Sequence, residues 1–212
     1  MSVPTLYGAP YSVYVRIARL ALEEKGVAYA LEPVDIFAES GPPADYLRLQ
    51  PFGKIPALRH GDFALYETDA IVRYVEEVFE GPPLAPEAPR PRARMTQVMR
   101  ILDNYGYPAL VWGVFVREAG SHKDRDPALL AAAVAPARRC LAVLEDLLSG
   151  DFFLGDRPSL ADLQGAPMLT YLALAPTGRR LLAERPKLSA WLERMAARPS
   201  LVATRFPAEL KA

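Results

Sequence analysis

The spacing of apolar and polar positions changes character near residue 80. Up to that point short β-prone runs alternate with helical stripes. Residues 3–7 form an apolar run closed by Gly8-Ala9-Pro10, which predicts a first strand. Ser12 then precedes Val13, Ile17, Leu20 and Ala21, an i, i+4, i+7, i+8 stripe. That stripe predicts a helix with a serine at its N-cap and Gly26 beyond its C-terminus. Residues 27–34 read as a second strand and 42–49 as a short helix, while 55–59 and 63–66 flank His60-Gly61-Asp62 as a hairpin. A helix from about Thr68 carries Ile71, Val75, Val78 and Phe79 on one face. The order β-α-β-α-β-β-α is a thin α/β layer that needs another surface to pack on.

Gly81-Pro82-Pro83, Pro86, Pro89 and Pro91 make a proline-rich connector, and no strand alternation follows it. The expected division is an α/β domain over 1–80, a connector over 81–90 and an all-helical domain over 91–212. Amphipathic segments rich in Ala, Leu and Arg run over 91–119, 126–149, 159–175 and 186–197, with a shorter piece at 178–184. Pro108 is expected to kink or break the first of them.

Composition removes several function classes. With 25 basic and 25 acidic side chains the formal charge is zero, which takes away the electrostatic case for nucleic acid or anionic membrane as a partner. The halves still differ, −5 over 1–80 and +5 over 81–212, as two units with different surfaces would. Cys140 is the only cysteine, so an internal disulfide and a CxxC redox pair are excluded. With His60 and His122 the only histidines, no metal site is expected. The first residues lack the basic and apolar regions of a signal peptide. The apolar stretches at 107–116 and 127–137 are about half the ~20 residues that span a bilayer. A soluble, cytoplasmic protein is expected.

Two short segments carry candidate chemistry. In Leu49-Gln50-Pro51-Phe52-Gly53-Lys54-Ile55-Pro56-Ala57-Leu58 a proline enters a strand, where it cannot donate to the ladder. A cis Ile55–Pro56 bond is expected there, with the Ile55 backbone free to pair with an extended peptide-like ligand. Tyr66-Glu67-Thr68-Asp69 stands at a strand-to-helix junction. A hydroxyl and free N–H groups at a helix start suit a carboxylate, and Glu67 suits an ammonium.

With these motifs in view, the chain resembles the cytosolic glutathione S-transferases over nearly its whole length. Leu6-Tyr7-Gly8-Ala9-Pro10-Tyr11-Ser12, with Arg19-Leu20-Ala21-Leu22-Glu23-Glu24-Lys25-Gly26, is similar to that family's first strand and helix. Pro51-Phe52-Gly53-Lys54-Ile55-Pro56 resembles its cis-proline loop and Glu67-Thr68 its γ-glutamyl site. Ser159-Leu160-Ala161-Asp162, after Phe153-Leu154-Gly155-Asp156, resembles its N-capping box.

The resemblance implies a thioredoxin-like domain followed by an all-α domain, reduced glutathione as co-substrate, no metal, and a homodimer that conjugates glutathione to small hydrophobic electrophiles. It implies a serine-type, theta- or zeta-like member, and the Ala, Arg and Pro enrichment fits a high-GC bacterium. Ser12 falls where such classes carry the thiol-activating hydroxyl, with Tyr7 and Tyr11 as competitors and Arg16 as a helper of the thiolate. The zeta-like Ser-Ser-Cys signature is absent, because Ser12-Val13-Tyr14 stands there. Lys54, Ile55, Pro56, Glu67 and Thr68 are the implied glutathione contacts. Tyr105, Tyr107, Trp112 and Phe115, with Tyr11, are candidates for the electrophile pocket. By analogy Phe52 is a dimer key, and Asp103 reaches the other subunit's glutathione. The rival functions are a non-catalytic dimerisation or ligand-binding module, and a glutathione-dependent lyase or dehalogenase on the same site.

Overall fold

The computed structural model describes residues 2–210. The first apolar run becomes β1 (Thr5–Gly8), and Ser12 caps α1 (Val13–Glu24). β2 (Ala30–Pro33), α2 (Ala44–Leu49), β3 (Ala57–His60), β4 (Phe63–Tyr66) and α3 (Thr68–Val78) follow, in the order that periodicity predicts. Strands β1 to β3 start two or three residues later than the apolar runs, because a residue joins the ladder only where a neighbour lies opposite. The sheet order is β2-β1-β3-β4, with β1 parallel to β2 and antiparallel to β3, and β3 antiparallel to β4.

Alternation along the strands sorts the faces. Leu6 opposes Leu58, and both are fully buried. Gly8 shares their face, and a Cβ on it would stand 2.3 Å from Val15 Cγ2, so the missing side chain lets the first turn of α1 close onto the sheet. α3 packs beside α1 on that face. Tyr7 points to the other face, where its ring lies 6.2 Å from that of Tyr46 in α2.

The helical part begins with α4 (Pro89–Ile101), which continues into a π-helical stretch, Leu102–Val116, and a last turn, α5 (Arg117–Ala119). Pro108 lies inside the π-helical stretch and does not break the chain's helical path. A proline cannot give the i→i−4 bond, and a wider register accommodates that loss without ending the helix. A 3₁₀ turn (His122–Asp124) leads to α6 (Pro127–Leu147), then α7 (Leu160–Leu174), α8 (Pro176–Ala183) and α9 (Pro186–Ala196). By length and composition α6 could cross a bilayer, but it packs along the π-helical stretch and pairs its Arg138 with Glu184 at 2.8 Å.

α7 is buried almost all round, the mark of a central helix. Its capping acid, Asp162, is 0% exposed and accepts from Ser159 N, Ser159 Oγ, Phe153 N and Trp191 Nε1 at 2.8–3.0 Å.

The last helix, α10 (Pro199–Ala203), and the residues after it depart from the expected domain plan. The chain divides into a unit of residues up to Leu84 together with the segment from Ser200, and a unit of Ala85–Pro199. The C-terminal segment therefore groups with the α/β unit, not with a helical domain running to 212. Buried polar bonds to α1 tie it there.

Candidate active site

Strand register gathers three chain junctions at one end of the sheet. Tyr7 pairs with Ala57, and Ala57 pairs with Tyr66. The exit of β1, the entry of β3 and the exit of β4 thus lie side by side. The segments leaving them are Gly8 to Ser12, Lys54 to Pro56, and Glu67-Thr68. α1 and α3 both start at this end, so the positive ends of two helix dipoles face it.

Ser12 is half-buried and has extended backbone, and its Oγ accepts from Val15 N at 3.3 Å. The hydroxyl proton is not consumed by that cap, since the oxygen is the acceptor, and remains available to a second acceptor. Tyr11 is differently placed. Its hydroxyl donates to Asp35 Oδ1 at 2.8 Å, and Asp35 also accepts from Phe37 N at 2.9 Å. Partial burial, then the bond and charge of Asp35, push the phenol up to about 12. Its proton is engaged by a carboxylate. Tyr7 is carried on the Tyr46 face of the sheet, opposite Gly8 and α1.

Arg16 is corrected by the structure. It is 1% exposed, and its guanidinium bonds to Glu209 Oε1 at 2.6 Å, Thr204 Oγ1 at 3.3 Å and the Leu201 carbonyl at 3.0 Å. It is a buried cation bonded to the C-terminal segment.

The Lys54-Ile55-Pro56 loop is held from behind by two residues the sequence did not single out. Gln50, almost fully buried, accepts from Lys54 N through Oε1 at 3.1 Å. Tyr46 donates its hydroxyl to the Lys54 carbonyl at 2.5 Å, and burial raises that phenol's pKa, keeping it a donor. Their spacing from Lys54, four and eight residues, was the available signal. The Ile55–Pro56 bond is cis. Ile55 stands two residues before the first paired residue of β3, outside the ladder, and the Lys54 side chain is exposed.

Glu67 has φ 71° and ψ 118°, the only positive φ outside glycine among the described residues. A side chain held there costs on the order of 1–3 kcal/mol of backbone strain. The twist turns the chain abruptly from β4 into α3, leaves Glu67 exposed and starts the helix at Thr68. Strain of this kind concentrates at ligand clamps.

The aromatic residues proposed for one pocket fall into two groups. Tyr105 and Trp112, 65% and 40% exposed, line a cleft of about 790 Å³ between the π-helical stretch and α6, with Ile101, Leu129 and Val143. Tyr107 is not among its walls but its side chain is hydrogen-bonded to that of Trp112, whereas Phe115 stacks on Tyr171 at 4.3 Å. Tyr105 and Trp112 share the cleft-lining side of this stretch with Ile101, Asn104, Pro108 and Ala109. Asp103 is engaged within its own unit, by Arg100 at 2.7 Å and Gln164 at 2.6 Å. Cys140 is buried, which pushes its thiol up to about 11 and leaves it an unreactive packing residue at neutral pH. Among the described residues no three His, Cys, Asp or Glu side chains gather as a metal site.

Comparison with known proteins decides the family. Residues 6–83 match the glutathione S-transferase N-terminal domain, and residues 127–194 match the C-terminal domain of the same family. Glutathione S-transferase 3 of Zea mays is 33% identical over 94% of this chain and 91% of its own length. The chain belongs to the glutathione S-transferase family. The crystal structure of glutathione transferase F7 from Populus trichocarpa superposes on this transferase with a TM-score of 0.83, at 31% identity over 95% of this chain and 97% of its own. A stringent starvation protein A homolog of Pasteurella multocida is also similar, 30% identical over 79% of this chain and 74% of its own. The transferase fold, a four-stranded sheet with helices followed by a helical unit, is the one the sequence implied.

Proposed function

We propose that this glutathione transferase is of the serine type and that Ser12 donates its hydroxyl proton as a hydrogen bond to the sulfur of glutathione. Glu67 takes the α-ammonium of the γ-glutamyl residue, and Thr68 with the first N–H groups of α3 takes its carboxylate. The Ile55 backbone pairs with the cysteinyl residue in strand fashion, and Lys54 reaches the glycine carboxylate. The observation that carries the reading is the register Tyr7–Ala57–Tyr66, which puts the serine, the unladdered backbone and the strained Glu67 at one sheet end.

The energy required is modest. A free thiol with a pKa of ~8.5 is only a few per cent thiolate at neutral pH. Lowering that pKa by about two units takes about 2.7 kcal/mol of preferential anion stabilisation. A hydrogen bond to a charged acceptor contributes ~1.5–3 kcal/mol, and a helix N-terminus ~0.3–1 kcal/mol more. No buried cation is needed, which agrees with Arg16 being engaged elsewhere. The sulfur, held beside a small hydrophobic electrophile, attacks carbon by proximity and orientation.

Calorimetric titration of glutathione and S-methylglutathione across pH 6 to 9 tests the reading. Wild type should release a proton on binding the free thiol at pH 7, and Ser12→Ala should release far less. Activity should rise through pH ~6.5 in wild type and through ~8.5 in Ser12→Ala, since only the thiolate form attacks. Unchanged proton release in Ser12→Ala would remove the serine from this role. No binding at millimolar glutathione would favour the non-catalytic module.

The same reading includes a homodimer in the cytosol. Phe52 is 68% exposed on the loop held by Tyr46 and Gln50, a rigid mounting for an apolar side chain. The apolar cleft with Tyr105 and Trp112 is a receiving surface of matching chemistry.

A further inference from the structure

Three side chains of α1 are bonded to the C-terminal segment. Arg16 binds Leu201 O, Thr204 Oγ1 and Glu209 Oε1. Arg19 donates to the Ala203 carbonyl at 3.2 Å, and Ser200 Oγ donates to Glu24 Oε1 at 2.5 Å. The segment folds around the buried guanidinium: the Phe206 ring lies 4.3 Å from Arg16 Cζ, and Glu209 Oε1 also accepts from Phe206 N at 2.6 Å. Phe206 and Thr204 are fully buried. The segment thus lies as a strap along the helix, with most of its contacts converging on Arg16.

The link from this strap to the reacting atom is short. Arg16 N donates to Ser12 O at 3.0 Å, the bond that closes the first turn of α1 behind the serine cap. The residue whose side chain the strap grips is therefore the residue whose backbone fixes Ser12. A buried arginine left without its carboxylate would seek solvent or another acceptor, and its rotation would act directly on that turn.

We infer that the C-terminal strap, through Glu209 and Phe206 acting on Arg16, positions Ser12, making Glu209 and Arg16 positioning residues for the thiol-activating hydroxyl. The inference rests on Ser12 having the role given to it above. It assigns Arg16 a function through the protein interior, where the resemblance implied a direct contact. It also gives the segment after Ser200 a role in the chemistry of the first unit.

The test compares Glu209→Ala with Ser12→Ala and with Lys25→Ala in the dimeric or monomeric form in which the protein purifies. Lys25 is the control because it pairs with Glu76 at 2.9 Å at the far end of α1, so its loss destabilises the same unit without touching the first turn. The readout is the pKa of the bound glutathione thiol, from thiolate absorbance against pH, beside kcat and KM for glutathione. Glu209→Ala should raise the bound thiol's pKa by roughly 0.5–1 unit and lower kcat at neutral pH ~3–10-fold, with KM for glutathione nearly unchanged. Lys25→Ala should lower Tm and leave that pKa in place. Glu209→Gln, which keeps an acceptor for Arg16 and for Phe206 N, should fall between wild type and Glu209→Ala. Should Glu209→Ala fail to fold, Phe206→Leu carries the same test with a smaller shift in the same direction. If Ser12→Ala raises the thiol pKa and the strap variants do not, the strap inference is overturned while the serine reading stands. If Ser12→Ala leaves the pKa unchanged, the serine reading falls and takes the inference with it.

Discussion

At the residue scale, the site is a set of ordinary local devices used twice. Ser12 satisfies a helix N-terminus with its oxygen in a bond that does not use its proton, so capping and the proposed thiol activation are compatible. Tyr11, its neighbour in sequence, loses the same opportunity because Asp35 holds its hydroxyl. Glu67 shows the opposite economy, a charged residue kept in a backbone conformation that suits glycine. Glu67→Gly should therefore raise stability by ~1 kcal/mol, read as a higher Tm, as backbone strain is released. The same variant should weaken glutathione binding at least ~10-fold, because the ammonium partner is gone and one charged hydrogen bond contributes ~1.5–3 kcal/mol. A stability loss together with unchanged glutathione affinity would contradict both halves of this account.

At the element scale, the helices differ in how much of their environment their own sequence announces. The stripe Val13, Ile17, Leu20, Ala21 is buried as its spacing predicts. Val15, Ala18 and Leu22 are buried as well, with Val15 set against Gly8 of the sheet, and Arg16 is buried because a second surface, 185 residues further on, covers it. Periodicity reports an apolar face and is silent about a polar face that finds buried partners. α7 repeats the lesson. Ser159 and Asp162 are legible as a capping box, but the acceptor of the Trp191 indole and the Phe153 amide is the same carboxylate. Asp162→Ala would leave those buried donors without a partner, and a loss of roughly 3–5 kcal/mol is expected in denaturant unfolding. A change below ~1 kcal/mol would mean the four bonds are replaced by water. Pro108 marks the limit of a local rule, since the chain around it winds into π geometry and continues.

At the scale of the whole molecule, two features depend on residues far apart in sequence. One is the return of the segment after Ser200 to the first unit, which redraws the domain plan read from composition. The other is the exposed pair of Phe52 and the Tyr105–Trp112 cleft, which we read as the two sides of a contact between copies. Phe52→Ser should shift sedimentation velocity from dimer toward monomer at micromolar concentration, with the glutathione site of each chain still able to bind. A variant that sediments as wild type would remove Phe52 from the interface.

The sequence by itself determined the β-α-β-α-β-β-α order of the first unit, the helix starts at Ser12, Thr68 and Ser159, and the cis bond at Ile55–Pro56. These are local matters: caps, turns, periodicity and proline positions act within a few residues, so a single chain suffices to read them. Only the tertiary structure decided that Asp35 holds the Tyr11 hydroxyl, that Arg16 is buried under Glu209 and Phe206, and that Phe115 stacks on Tyr171 while Tyr105 and Trp112 line a cleft. Each of those outcomes turns on a partner distant in sequence, 24 residues away for Tyr11 and 193 for Arg16. A donor's availability is a property of what else reaches it, and that is settled when the chain packs.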